Sequence, residues 1–360
     1  MQDNSVDSCI SDFPYDLSFM GRKWDNIGDF YNWNRQRAEG LHRIIKPGGY
    51  VAIFGHPKTN HRMKCAFEDS GYRIVEEIDW IYLTGMPKNQ DIGKLFDKAA
   101  GCKRPLSKVQ RPIGGKTGVY QGQGGNWGET INTPQSDLAK KWDGWKTAGL
   151  KPAHETITIF QKPPKGTYIK NIEKYGCGGM NIDACRVPIS QSDINMMNAK
   201  ASKNPTTNYS NKDDKIYGKF AEDKASPANE QGRFPVNIIL DEYTAEILDK
   251  QTGCDGGSRM FPVIKYSPKV SPSERKLPSG ERNPHVTLKP VDLIKWLIKL
   301  LTPIDGMTID ITAGSGTHGV ACEELNRDEG YNLRWVNVEL MNTESEPFCD
   351  VSRERLDAIS

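Results

Sequence analysis

The chain has 360 residues, 36% of them hydrophobic and 26% charged, with a formal net charge of +2. That length accommodates one large α/β domain with an insertion, or two domains, and the near-neutral balance neither requires nor excludes nucleic acid as a partner, because distribution matters more than the total. The first residues lack the basic flank and apolar run of a signal peptide, and the apolar run LIKWLIKLL at 293–301 carries two lysines and is far too short to span a bilayer, so the expectation is a cytoplasmic protein with no membrane segment.

In chain order, DSCISD followed by Phe13-Pro14 reads as a short strand running into a loop. A helical pattern over 30–45 stops at KPGG (46–49), a sharp turn into YVAIFG (50–55), whose continuous apolar run suits a strand buried on both faces of a parallel sheet. A helix over about 58–70 ends at Gly71, and YRIVEEIDWIYL (72–83) alternates like a pair of sheet strands. From 85 to 232 the character changes: a glycine-rich run, IGGKTGVYQGQGGNWGE, precedes a stretch at 189–232 dominated by Ser, Asn, Lys, Asp and Pro, and lysines are dispersed throughout. Sheet-like sequence returns with PVNIILD (235–241), a helix at about 290–302, the strand–loop–helix GMTIDITAGSGTHGVACEEL (306–325) and a last strand, RWVNVEL (334–340). The simplest organisation is one α/β domain built from both ends of the chain and interrupted by an insertion. Eight cysteines lie scattered with no C-x-x-C pair, so no metal is expected.

Chemistry concentrates at two places. AGSGTHG holds a G-x-G-x-x-G at Gly314, Gly316 and Gly319, and Glu339 follows 20 residues after Gly319 at the end of the next strand. Glycines admit a ligand close to the backbone, the helix start offers free N–H groups, and the acid can accept two ribose hydroxyls. A dinucleotide and S-adenosylmethionine suit this loop about equally. Position separates them: only 21 residues follow Glu339, so the remaining strands must come from the N-terminal segment and the sheet is circularly permuted. The second place is Asp12-Phe13-Pro14-Tyr15, where a turn alone would not call for two aromatic rings beside the acid.

With DFPY early and the glycine loop late, the chain resembles the amino-methylating DNA methyltransferases of the permuted order, including stand-alone phage and bacterial adenine or cytosine modification methylases. DNSVDSCISDFPYDLSFMGRKWD is similar to that family's lead-in and catalytic D-P-P-Y, KPGGYVAIFG to its following helix–strand, and LKPAHE (150–155), KYGCGGMNIDACRV (174–187) and GRFPVNIILDE (232–242) to later segments. HVTLKP (285–290) resembles H-P-T-x-K-P, and DITAGSGT (310–317) resembles D-P-F-A-G-S-G-T. Phe13, Val286 and Ile311 stand where the family has proline, and Thr312 where it has a cofactor-facing phenylalanine.

The resemblance implies a Rossmann-like methyltransferase sheet, circularly permuted: a catalytic half over 1–84, an inserted target-recognition region over 85–232 and a cofactor-binding half over 233–360. It implies S-adenosyl-L-methionine as cofactor and double-stranded DNA as partner, and leaves a homodimer open. Asp12 would accept one hydrogen of an exocyclic amino group and the Phe13 carbonyl the other, with Pro14 stiffening the turn and Tyr15 stacking on a flipped base. Asp310, Thr312, Ala313, Gly314, Ser315, Gly316, Thr317 and Glu339, with His285, Thr287 and Lys289, would surround the cofactor. Adenine N6 is favoured over cytosine N4, because the family's adenine enzymes open the motif with Asp or Asn. A second reading is a non-catalytic DNA-binding or inhibitory protein on the same fold, and cofactor binding separates the two.

Overall fold

Strand β1, Val6–Asp12, runs through the middle of a sheet although four of its seven residues are polar. It can be buried because its neighbours complete each side chain. Asp7 meets Lys46 Nζ at 2.6 Å and the Met307 N–H at 2.8 Å, and the Ser8 hydroxyl bonds Thr302 and Thr308. A computed structural model describes the chain except residues 19–20, 84, 86, 88, 110–128, 204–227, 254–255, 265–275, 286, 341, 344–346 and 360. Val286, most of the glycine-rich run and much of the Ser/Asn/Lys-rich stretch therefore lie outside the described residues.

Two compact units emerge: Met1–Leu83 with His154–Ser360, and Thr84–Ala153. In the first, β1 is followed by α1 (Phe30–Ile44), β2 (Ile45–Gly55), α2 (Asn60–Asp69) and β3 (Arg73–Ile81). The second holds α3 (Ile92–Ala99), the antiparallel pair β4 (Leu106–Val109) and β5 (Glu129–Asn132), and α4 (Asp137–Lys141). Back in the first unit come β6 (His154–Gln161), α5 (Tyr168–Tyr175), α6 (Gln191–Lys203), β7 (Ile238–Asp241), α7 (Glu242–Thr252), β8 (Val263–Ile264), α8 (Val291–Leu301), β9 (Met307–Asp310), α9 (Thr317–Glu329), β10 (Arg334–Asn337) and α10 (Phe348–Asp357).

Among the described residues the sheet of the first unit has eight strands in the order β10-β9-β1-β2-β6-β3-β7-β8, all parallel except β6. Alternation along β2 sends Tyr50, Ala52 and Phe54 to a core under α8 and α9, and Val51 and Ile53 to a second core under α1 and α2. A mainly parallel sheet covered on both faces by helices is the expected α/β, Rossmann-like architecture. The last strands of the chain lie directly beside the first, as a permuted order requires.

Three details differ from the sequence reading. The region 72–83 yields one strand, β3, and KPGG lies inside β2, where Gly48 takes a φ of +83° and the β1 register shifts. The region drawn as one insertion over 85–232 returns to the sheet at β6, between β2 and β3. Its threonines disguise it: Thr156 and Thr158 are buried, and Thr156 bonds Asn60 at 3.0 Å, so a polar alternation conceals a fully packed strand. Among the described residues no helix is long and apolar enough to cross a membrane, and no His, Cys, Asp or Glu group is arranged to hold a metal.

Candidate active site

From β9 the chain passes through α9 to β10 on one side, and from β1 it passes through α1 to β2 on the other. Connections leave in opposite directions, so a crevice opens between the carboxyl ends of β9 and β1, the place where open α/β sheets bind ligands. The register pairs Ser8 with Thr308 and Cys9 with Ile309, which brings the glycine loop and Asp12 to the same crevice. The Thr312 hydroxyl donates to the Asp12 carbonyl at 3.0 Å and lies 2.9 Å from the Ser11 hydroxyl, which in turn donates to Asp310. Where the family pattern places a ring, this chain places a hydrogen-bonded joint.

The three glycines of the loop have separable reasons. Gly314 and Gly316 have φ of +52° and +80°, the left-handed region that other residues enter at a cost. A Cβ on Gly314 would come within 2.7 Å of the His285 ring, and one on Gly316 within 2.1 Å of the Ser352 hydroxyl on α10. One on Gly319 would strike the Trp335 ring at 2.9 Å, so the third glycine lets α9 lie on β10. Glu339 accepts the Gly314 N–H at 2.6 Å, and the Ala313 N–H bonds the Val338 carbonyl at 3.0 Å, so loop and acid are one assembly. Arg355 fastens the helix start, donating to the Ser315 carbonyl at 2.8 Å and to the Thr317 hydroxyl at 3.2 Å. His285 packs on Phe348 with centroids 4.7 Å apart, and Thr287 is half-buried two residues on. Burial pushes the Asp310 carboxyl up to about 7, with Asp12 and Glu339 adding to the rise and the Ser11 and Thr312 donors opposing it.

The other wall carries charge. Lys289, 8% exposed, sets its ammonium 2.7 Å from Asp12 Oδ2, 3.1 Å from Glu155 Oε2 and 3.2 Å from the Tyr15 oxygen. The Tyr15 oxygen lies 2.9 Å from Asp12 Oδ1 and 3.0 Å from Glu155 Oε2, and the Tyr82 hydroxyl donates to Glu155 Oε1 at 3.1 Å. Burial raises the Asp12 carboxyl against the pull of Lys289. Burial would raise Glu155 as well, but Lys289 and the two phenols outweigh it and hold that carboxyl low. Burial followed by the two carboxylates drives the Tyr15 phenol well up. Beneath the cluster the loop is held by Asp25, a buried carboxylate that accepts the N–H groups of Tyr15, Asp16 and Leu17 at 2.7, 2.9 and 3.1 Å. The Phe13 ring turns away, 2% exposed, and packs edge-on against Trp33 with centroids 5.4 Å apart.

Thus Asp12, Tyr15 and Lys289 share one polar cluster, and Asp310, Thr312, Ala313, Gly314, Ser315, Gly316, Thr317, His285 and Glu339 share one loop assembly. Lys289, grouped with the cofactor residues on sequence, touches Asp12. Glu155, Tyr82, Asp25, Ser11 and Arg355 were not anticipated. Glu155, at the end of LKPAHE, and Ser11 and Asp25, within DNSVDSCISDFPYDLSFMGRKWD, lie in segments that carry the family resemblance; Tyr82 and Arg355 do not.

Over residues 6–346 the sequence matches the DNA methylase family of the N6 and N4 type. The chain belongs to that family. Among its relatives, the Type II methyltransferase M.HindIII of Haemophilus influenzae is 23% identical over 301 residues, which cover 83% of this chain and 63% of that protein. The Type II methyltransferase M.HpaI of Haemophilus parainfluenzae is 28% identical over 104 residues, 27% of this chain and 32% of that one. This methylase chain thus spans less than two thirds of the length of either relative. Among solved structures, the PvuII DNA methyltransferase, cytosine-N4-specific, aligns over 99% of this chain and 88% of its own with 14% identity and a TM-score of 0.42.

Proposed function

We propose that this chain methylates double-stranded DNA on the exocyclic amino group of a flipped base, adenine N6 in preference to cytosine N4, using S-adenosyl-L-methionine. The observation that carries the proposal is the joint between the two walls: Asp12 and the glycine loop open on one crevice, tied by the 3.0 Å bond from Thr312 to the Asp12 carbonyl. The loop's chemistry fits a nucleoside-bearing cofactor: left-handed Gly314 and Gly316 turn the chain tightly into the start of α9, and Glu339 stands beside Gly314. Gly314, Gly316 and the start of α9 would hold it, with Glu339 accepting from the ribose hydroxyls. When bound, that cofactor would supply an electrophilic sulfonium methyl whose leaving group is a neutral thioether.

The chain's own residues prepare the nucleophile. An exocyclic amino lone pair is delocalised into the ring, so the amino group must be polarised by acceptors for its hydrogens. Asp12 supplies one acceptor and the Phe13 carbonyl the other. As positive charge develops on nitrogen these bonds strengthen, and the departing proton passes to the Asp12 carboxylate. Tyr15, anchored by its phenol, offers its ring to the flipped base. The preference for adenine rests on aspartate at the head of the motif. Residues within 85–232 are proposed to read the DNA, where the dispersed lysines meet phosphates.

Labelled S-adenosyl-L-methionine and DNA of mixed sequence, followed by nucleoside analysis, test the proposal. N6-methyladenine is expected, and Asp12→Ala should remove it while leaving cofactor affinity within a few-fold. N4-methylcytosine would move the target base. Methylation that persists in Asp12→Ala would overturn the catalytic assignment, and cofactor binding without any methylated nucleoside would favour a non-catalytic DNA-binding role.

A further inference from the structure

The charged wall holds two carboxylates and one ammonium, and its hydrogen-bond count is short by one proton. Lys289 spends its three donors on Asp12, Glu155 and the Tyr15 oxygen. Tyr15 has a single proton, yet its oxygen is within hydrogen-bond distance of both Asp12 Oδ1 and Glu155 Oε2. It can serve only one of them. If it serves Glu155, the 2.9 Å contact to Asp12 becomes a bond once Asp12 itself carries a proton. Glu155 is moreover fixed by the Tyr82 hydroxyl on its other oxygen, and by its place on β6 opposite Trp80. Asp12 ends its strand at the crevice and is the more exposed of the two carboxylates, 24% against 17%.

We infer that Glu155 is a positioning residue for Asp12: it shares the Lys289 ammonium, competes for the Tyr15 proton and holds the Tyr82 donor for itself, which leaves the Asp12 carboxylate able to take up a proton. The inference rests on the reading of Asp12 as acceptor in methyl transfer, and it assigns that step a destination. The proton leaves the amino nitrogen, its N–H bond electrons remaining on nitrogen, and forms an O–H bond to Asp12 that points at the Tyr15 oxygen. The cluster passes from a net charge of −1 to zero and is reset by loss of the proton to solvent. The groups facing Asp12 are Tyr15 on its own loop, Lys289 before α8, Glu155 on β6 and Asp310 on β9, with His56 beyond Tyr15 and Asp25 beneath the loop. Burial and Glu155 raise Asp12 while Lys289 lowers it, which agrees with the geometric count.

The test follows the carboxyl 13C signals of Asp12 and Glu155 against pH in selectively labelled protein, assigned by Asp12→Asn and Glu155→Gln. In the wild type Asp12 should titrate above Glu155, and the reverse order would overturn the inference. In Glu155→Gln, Asp12 should titrate about one unit lower, because Lys289 then pairs with it alone, while Glu155→Asp should stay near the wild type. An Asp12 titration that is unmoved or raised in Glu155→Gln, even with a lower melting temperature, would make Glu155 merely structural. Where the wild type methylates DNA, the acid limb of kcat should shift down with the Asp12 signal, at unchanged KM for the cofactor. If the titrations behave as expected but no methylation is found, the electrostatic arrangement stands and the methyl-transfer reading fails.

Discussion

The two walls of the crevice are built by opposite means. The glycine loop after β9 is held by main-chain geometry: left-handed glycines, N–H groups given to Glu339 and to carbonyls, and an arginine that grips a carbonyl and two hydroxyls. The loop after β1 is held by side-chain charge, with Asp25 under its backbone and Lys289 between two carboxylates at its tip. A wall made from backbone should tolerate changes of polarity and fail when volume is added. A wall made from charge should tolerate modest changes of volume and fail when a charge is removed or titrated.

The largest effect that could break this comparison is at Asp25. Asp25→Ala leaves three N–H groups of the loop without their acceptor, and charge-assisted bonds of this kind contribute about 1.5–3 kcal/mol each. A loss of about 5 kcal/mol in denaturant titration is expected, together with loss of the proposed methylation at nearly unchanged cofactor affinity. A parallel fall in cofactor affinity would show that the walls are not independent.

Next comes the buried carboxyl at the foot of the glycine wall. Asp310 titrates near 7 in the folded chain against about 3.9 when unfolded. Between those values the folded protein keeps a proton that the unfolded chain has released, so stability falls as pH rises from about 4 to 7 and is flat beyond. The span is on the order of 4 kcal/mol. Asp310→Asn keeps the acceptor for Ser11 and Thr312, and should flatten that part of the melting-temperature profile. A wild-type profile that rises through the same window would contradict the burial argument.

Gly316→Ala should weaken cofactor binding by about 2–3 kcal/mol, from left-handed strain and overpacking against Ser352. Ser352→Gly in the same chain should recover the packing share but not the strain, as calorimetry would resolve. Smallest is Thr312→Val, which removes the joint itself. One hydrogen bond to the Asp12 carbonyl is worth about 1 kcal/mol, so a slight fall in melting temperature and a larger fractional fall in kcat are expected. Equal loss in both would mean the joint is only structural.

Much of this was legible in the sequence because it is local. The apolar run YVAIFG, the strand–glycine loop–helix at 306–325 and the 20-residue interval to Glu339 each fit in one window, and β2, β9 and α9 lie where those patterns put them. The β6 strand was hidden because buried threonines look like exposed ones until Asn60 and Gly55 are seen beside Thr156. Glu155 was one acid among 46, and nothing in its neighbours says that Lys289, 134 positions later, will share it. At Phe13 the sequence offered a main-chain acceptor in place of proline but not the ring's position: it fills the core between Trp33 and Phe67, so Phe13→Pro would be a core truncation costing about 3–5 kcal/mol.

The adjacency of β1 and β9 has a consequence during synthesis. Ser11 and Asp310 are bonded across 299 positions, so β1 leaves the ribosome long before its partner strand does. At about 5–20 residues per second that interval lasts some tens of seconds. Throughout it β1 pairs with β2 on one side and offers its other edge to any strand that passes. Its four polar residues and its aspartates at both ends of the pairing segment make it a poor template for aggregation. The polarity that makes VDSCISD unlike an interior strand is thus also what lets the nascent chain keep that edge open until its own partner arrives.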